Sequence, residues 1–189
     1  MNVLNAAKPT RMCSAVLGLA LLGLSSAFAV AQDPSSTAAQ DKTFLMKSAA
    51  GSMAEIELSQ MALKKSKNDD VKMFAQKMVD DHTMLIANMK PFADQMGVKP
   101  PTKLMKPDQM EADRLKSMSG ANFDKEYVTH MVAYHHKDLG EFTTERDTTA
   151  NPELKSTVAQ GTDIIKQHTD MIDGMAQKMG IPTPPSPSM

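Results

Sequence analysis

The chain has 189 residues, 41% of them hydrophobic, and a formal net charge of −1. With no Trp and only two Tyr it carries neither the positive field nor the stacking platforms that nucleic acid requires, so that partner class is excluded. The length suits one domain with a real apolar core, and the single cysteine, Cys13, excludes an internal disulfide.

Residues 1–31 read as an export signal rather than as fold. Lys8 and Arg11 give the positive start, residues 15–30 form an apolar run, and Ala27-Phe28-Ala29 and Ala29-Val30-Ala31 are overlapping small-x-small cleavage sites. Cleavage after Ala31 makes Gln32 the new terminus, removes Cys13 and leaves a more acidic chain without a transmembrane span. The expected location is the periplasm, with attachment to the outer membrane as a variant. An uncleaved anchor competes with this reading, although the run is short for a span. Residues 32–41, rich in Ser, Thr and Ala, read as a flexible linker, residues 42–180 as the folded domain, and residues 181–189 as a Pro-rich disordered tail.

Helical periodicity runs through the domain, and strand alternation does not. The pattern predicts a first helix over residues 43–66. A second follows from the cap Asn68, with Asp69 and Asp70 in its first turn, to Met96 before Gly97; Pro91 inside it predicts a kink. A short helix over residues 107–118 precedes a third long helix over 120–148. A fourth runs from Asn151 and Pro152 to Met179, before Gly180. The second and fourth long helices echo each other: Asn68-Asp69-Asp70-Val71-Lys72 against Asn151-Pro152-Glu153-Leu154-Lys155, and Met96-Gly97-Val98 against Met179-Gly180-Ile181. Duplication of a helical hairpin and chance likeness of capping residues both account for this. Four amphipathic helices of matching length make an all-α, four-helix bundle the natural architecture, with up-down and crossover topologies both open.

Glu57, His82, His135 and His168 each stand in a different long helix, at a position where the apolar stripe calls for a hydrophobic residue. Glu57 falls among Met46, Met53, Ala54 and Met61, His82 between Val79 and Ile86, His135 between Met131 and Leu139, and His168 between Ile164 and Ile172. A buried imidazole needs a hydrogen bond, a metal or water. Three imidazoles and a carboxylate at one level suit a transition metal such as zinc, copper or iron. The competing reading is a buried hydrogen-bond network in which Glu57 pairs a protonated histidine. Eighteen methionines raise copper buffering, but thioethers at helical spacing are ordinary core filler. His130 and His136 lie off the stripe and read as solvated.

The stretch Gly51-Ser52-Met53-Ala54-Glu55-Ile56-Glu57-Leu58, followed by Phe74-Ala75-Gln76-Lys77-Met78-Val79-Asp80-Asp81-His82, resembles a family of exported bacterial proteins, the domain of unknown function 4142 family. Phe123-Asp124, the frame from Met131 to His135, and a last helix with His168 extend the resemblance over residues 42–179. It implies a ferritin-like four-helix bundle, with a short extra helix between the second and third long ones, in the periplasm or at the outer membrane. Di-iron proteins of that fold place a Glu three residues before each ligating His. Here those positions hold Val79, Val132 and Ile165, so a di-iron oxidase is not expected.

No Gly-rich phosphate loop, nucleophile elbow or cysteine pair is present. The leading expectation is therefore a non-catalytic exported bundle that binds a transition metal and acts in metal handling or envelope stress. A partner-interaction module docking an envelope protein through the Pro-rich tail, and a redox enzyme at a mononuclear site, are the alternatives.

Overall fold

The computed structural model describes the backbone of residues 34–185 and side chains from Thr37 onward. The expected export signal and its cleavage site, and residues 186–189 of the expected tail, lie outside the described residues. Every regular element among the described residues is helical: α1 (Pro34–Lys65), α2 (Asp69–Gln95), α3 (Lys106–Ser117), α4 (Gly120–Thr148) and α5 (Pro152–Lys178). None of these helices is long and apolar enough to cross a membrane.

Local chemistry sets the ends of α2 and α5. Asn68 and Asn151 are extended caps, at φ −85°, ψ 118° and φ −83°, ψ 112°. Asn68 Oδ1 accepts from the N–H groups of Asp70 and Val71 at 2.9 and 3.4 Å, and Asn151 Oδ1 from those of Glu153 and Leu154 at 3.0 and 3.1 Å. One step earlier, Ser66 Oγ accepts from Asn68 N–H and Thr149 Oγ1 from Asn151 N–H. Both helices stop at a left-handed glycine, Gly97 (φ 69°) and Gly180 (φ 67°), a conformation a Cβ would strain. The next residues close the ends: Val98 N–H donates to Ala93 O at 2.8 Å and Ile181 N–H to Ala176 O at 2.9 Å. α2 continues through Pro91 to Gln95.

Two boundaries differ from the sequence reading. α1 begins at Pro34, so most of the expected linker is helix. A proline's missing N–H costs nothing in a first turn. The Ser/Thr-rich turns are then held by tertiary contacts: Thr37 and Asp41 are buried, and Gln40 Nε2 donates to Glu145 Oε2 and Thr148 Oγ1 on α4. At the other end Ile181, expected in a disordered tail, is buried in the core through its helix-ending hydrogen bond.

α1 packs on α2 and α4, α5 packs on α4 and α2, and α3 touches α1 and α4. The apolar core divides in two. One cluster holds Leu58 and Ala62 of α1, Phe74 and Met78 of α2, Tyr127 and Met131 of α4, and Ile172 and Ala176 of α5. The other holds Phe44 and Leu45 of α1, Leu85 and Met89 of α2, Phe142 of α4, and Val158 and Ile165 of α5. The order in which each helix meets the two clusters fixes its direction. α1 and α5 run one way, α2 and α4 the other, and all neighbouring pairs are antiparallel. The segment from α2 to α4 therefore returns along the molecule, with Ala112 and Leu115 of α3 sealing the first cluster. On each long helix, buried polar residues lie between its contributions to the two clusters: Ser52 and Glu55 on α1, His82 on α2, His135 on α4 and His168 on α5.

Candidate metal centre

That polar layer is the candidate site. His82, His135 and His168 are buried to 1%, 0% and 0% exposure, and each offers a ligand atom within 4.8 Å of those of the other two. Their ring centroids form a triangle with sides of 5.4, 5.4 and 6.0 Å.

Outer contacts fix which nitrogens face inward. His135 Nδ1 lies 2.9 Å from Met131 O, a carbonyl that only accepts, so Nδ1 carries the proton and Nε2 the lone pair. His168 Nε2 donates to Asp81 Oδ2 at 2.7 Å, which leaves the lone pair on Nδ1. Asp81 is ionised for this role: against the upward push of burial, hydrogen bonds from Lys77 and His168 hold its carboxyl below its ordinary value. His82 Nδ1 lies 3.2 Å from Ser52 Oγ, and the tautomer that donates to this hydroxyl leaves Nε2 with its lone pair. Such outer partners orient metal-bound histidines and raise their basicity.

The fourth group is Glu55, fully buried on α1, with Oε1 3.3 Å from His135 Nε2. Burial, reinforced by the charge of Asp138, pushes its carboxyl well above the ordinary value. Burial pushes the imidazoles the other way: His135 falls to about 3, helped by the charge of His168, and His82 and His168 fall as well. The three rings are thus neutral near pH 7 and present lone pairs, as metal ligation requires.

Glu55 Oε1 and Oε2, His82 Nε2, His135 Nε2 and His168 Nδ1 are all buried and without a hydrogen-bond partner. A proton on Glu55 would satisfy His135 alone and leave His82 Nε2 and His168 Nδ1 as bare acceptors. A cation held by the three imidazoles would satisfy their inward lone pairs and, with Glu55 Oε1 3.3 Å from His135 Nε2, would favour the ionised carboxylate.

Of the four expected residues, the structure brings the three histidines together and leaves Glu57 out: it lies on the exposed face of α1. The methionine stripe misplaced it. Met46 is 39% exposed and Met53 and Met61 only half-buried, whereas the inward face carries Ser52, Glu55, Ser59 and Ala62. Those residues recur at three- and four-residue spacing, a seam of small and polar side chains that a search for apolar stripes passes over. His130 and His136 are not solvated either. His136 Nε2 pairs with Asp173 at 3.0 Å between α4 and α5, and half-buried His130 lies against the Tyr134 ring at 4.8 Å. Of the methionines, Met78 and Met131 are core filler in the first apolar cluster.

An all-helical protein with a buried cluster of three histidines on three helices is the class that fold and site define. The chain belongs to the family described as domain of unknown function (DUF4142), whose sequence model matches residues 26–175. No curated protein and no solved structure matches it.

Proposed function

We propose that this is an exported, non-catalytic protein whose four long helices form a ferritin-like bundle around one transition-metal ion, held by His82, His135, His168 and Glu55. The observation that carries the reading is the convergence of His82, His135 and His168, each with a buried ring nitrogen that lacks a hydrogen-bond partner, beside Glu55, whose two buried oxygens lack one as well. Each long helix supplies one ligand, so the ion ties the α1–α2 hairpin to the α4–α5 hairpin. Three neutral imidazoles and a carboxylate are the donors of zinc and iron sites. Four protein ligands fill a tetrahedral ion and leave no open position, which favours storage, buffering or structural stabilisation over catalysis. The export pattern of residues 1–31 supports a periplasmic role in metal handling or envelope stress.

Metal content by elemental analysis and thermal melting with and without zinc test this. At zinc a hundredfold above Kd the wild type gains about 2.7 kcal/mol. His82→Ala, His135→Ala and Glu55→Gln lose that gain, and Glu57→Gln keeps it. Identical melting with and without zinc, iron or copper for the wild type would overturn the proposal.

A further inference from the structure

The buried centre meets the surface along two edges, and they are built differently. On the α2/α5 edge, Asp81 is engaged on both sides, 2.7 Å from His168 Nε2 and 2.7 Å from Lys77 Nζ. A carboxylate bonded in this way positions a ligand and has little freedom to hand over an ion.

The α1/α4 edge carries a series of acids instead. Asp138 follows His135 by one turn of α4, and Glu141 follows Asp138 by another. Side-chain exposure rises outward, from 0% at Glu55 to 11% at Asp138 and 29% at Glu141. Successive residues three apart on a helix are about 4.5 Å apart along its axis, a step one ion can take between carboxylates. Asp138 lies against bare backbone, since a Cβ on Gly51 of α1 would come within 3.5 Å of its Oδ2. Glu141 opens on a groove of 670 Å³ between α1 and α4, lined also by Lys47, Lys137 and Gly140. Lys137 Nζ bridges these acids, 3.4 Å from Asp138 Oδ1 and 3.6 Å from Glu141 Oε1, and Lys47 Nζ also holds Glu141 Oε1 at 3.2 Å. The Lys137 side chain is 58% exposed, on a flexible stem that can swing into the groove. At the inner end stands Glu55, fully buried, with both oxygens unpartnered.

Building on the metal-centre reading, we propose that Glu141 and Asp138 are the path by which a divalent cation reaches Glu55 and the three histidines, displacing the Lys137 ammonium as it passes. Asp138 is a transfer residue and Asp81 a positioning residue.

The two roles separate kinetically. Zinc transfer from a chromophoric chelator to the full protein is followed by stopped flow, for wild type, Asp138→Asn, Glu141→Gln, Lys137→Met and Asp81→Asn, with circular dichroism confirming each fold. Asp138→Asn slows loading by about tenfold, the low end of what focused charge adds to an on-rate. Release slows by the same factor, so Kd holds. Glu141→Gln, at a half-exposed position, gives a weaker slowing of the same kind, and Lys137→Met loads faster than wild type. Asp81→Asn leaves loading unchanged and weakens Kd by about 10–100-fold, as expected of a ligand's outer partner. Wild-type loading rates in both Asp138→Asn and Glu141→Gln, with zinc still bound, overturn the path and leave the centre standing. A wild type that takes up no zinc overturns both.

Discussion

The α1–α2 and α4–α5 hairpins share their turns and differ in their interiors. The spacing that carries Asn68 onto Asn151 also carries Ser66 onto Thr149, Gly97 onto Gly180 and Val98 onto Ile181, and at each pair the hydrogen bonds or backbone angles repeat. The same spacing carries Glu55 onto Asp138, both buried acids of the polar layer, but sets Ser52 against His135 and Leu85 against His168. It also sets Ser59 and Met78 against Phe142 and Gly161, so the small and large residues exchange helices. Capping geometry is local, set by bonds that span only a few residues. Interior volume is shared between facing helices, and either one can supply it.

Substitution at the exchanged positions gives the largest contrast. Met78→Ala opens a cavity in the first apolar cluster and lowers stability by about 2–5 kcal/mol. At the matching place, Gly161→Ala adds a methyl 2.6 Å from Phe142 Cε1, on a ring already set edge-on to Phe44 at 5.0 Å. Overpacking of that kind lowers stability by about 1–3 kcal/mol. Urea unfolding checks both values, and a neutral Gly161→Ala would show that Phe142 has room to move.

The caps bring the hairpins back together. Asn68→Ala and Asn151→Ala each cost about 1 kcal/mol by the same measurement. Because the two caps have the same geometry, losses that differ severalfold would break the likeness between the turns.

A further effect is confined to pH. Burial, with Asp41 beside it, raises Glu145 from 4.5 to about 7, where the first hairpin has Ala62. The folded state then keeps a proton that the unfolded chain has already lost. This group's contribution is complete below pH 4.5 and disappears as pH rises to about 7. The stability difference between wild type and Glu145→Gln therefore shifts against wild type across that window. A pH-independent difference would show that Glu145 titrates normally.

The five helices and most of their ends were legible in the sequence because caps, prolines and left-handed glycines act through bonds a few residues long. The faces of His82, His135 and His168 were legible too, since each interrupts an otherwise apolar stripe on its own helix. Two things waited for the tertiary structure. One was the rotation of α1: Ser52, Glu55 and Ser59 make an interior only because large side chains from other helices fill the space they leave, as Tyr127 does at 2.8 Å from Ser59 Oγ. That rotation put Glu55 rather than Glu57 beside the histidines. The other was the return of the chain through α3, decided by which end of the core Ala112 and Leu115 cover. Periodicity along one helix records which side is inside, but the partner each residue meets there depends on the volume and direction of the helices opposite.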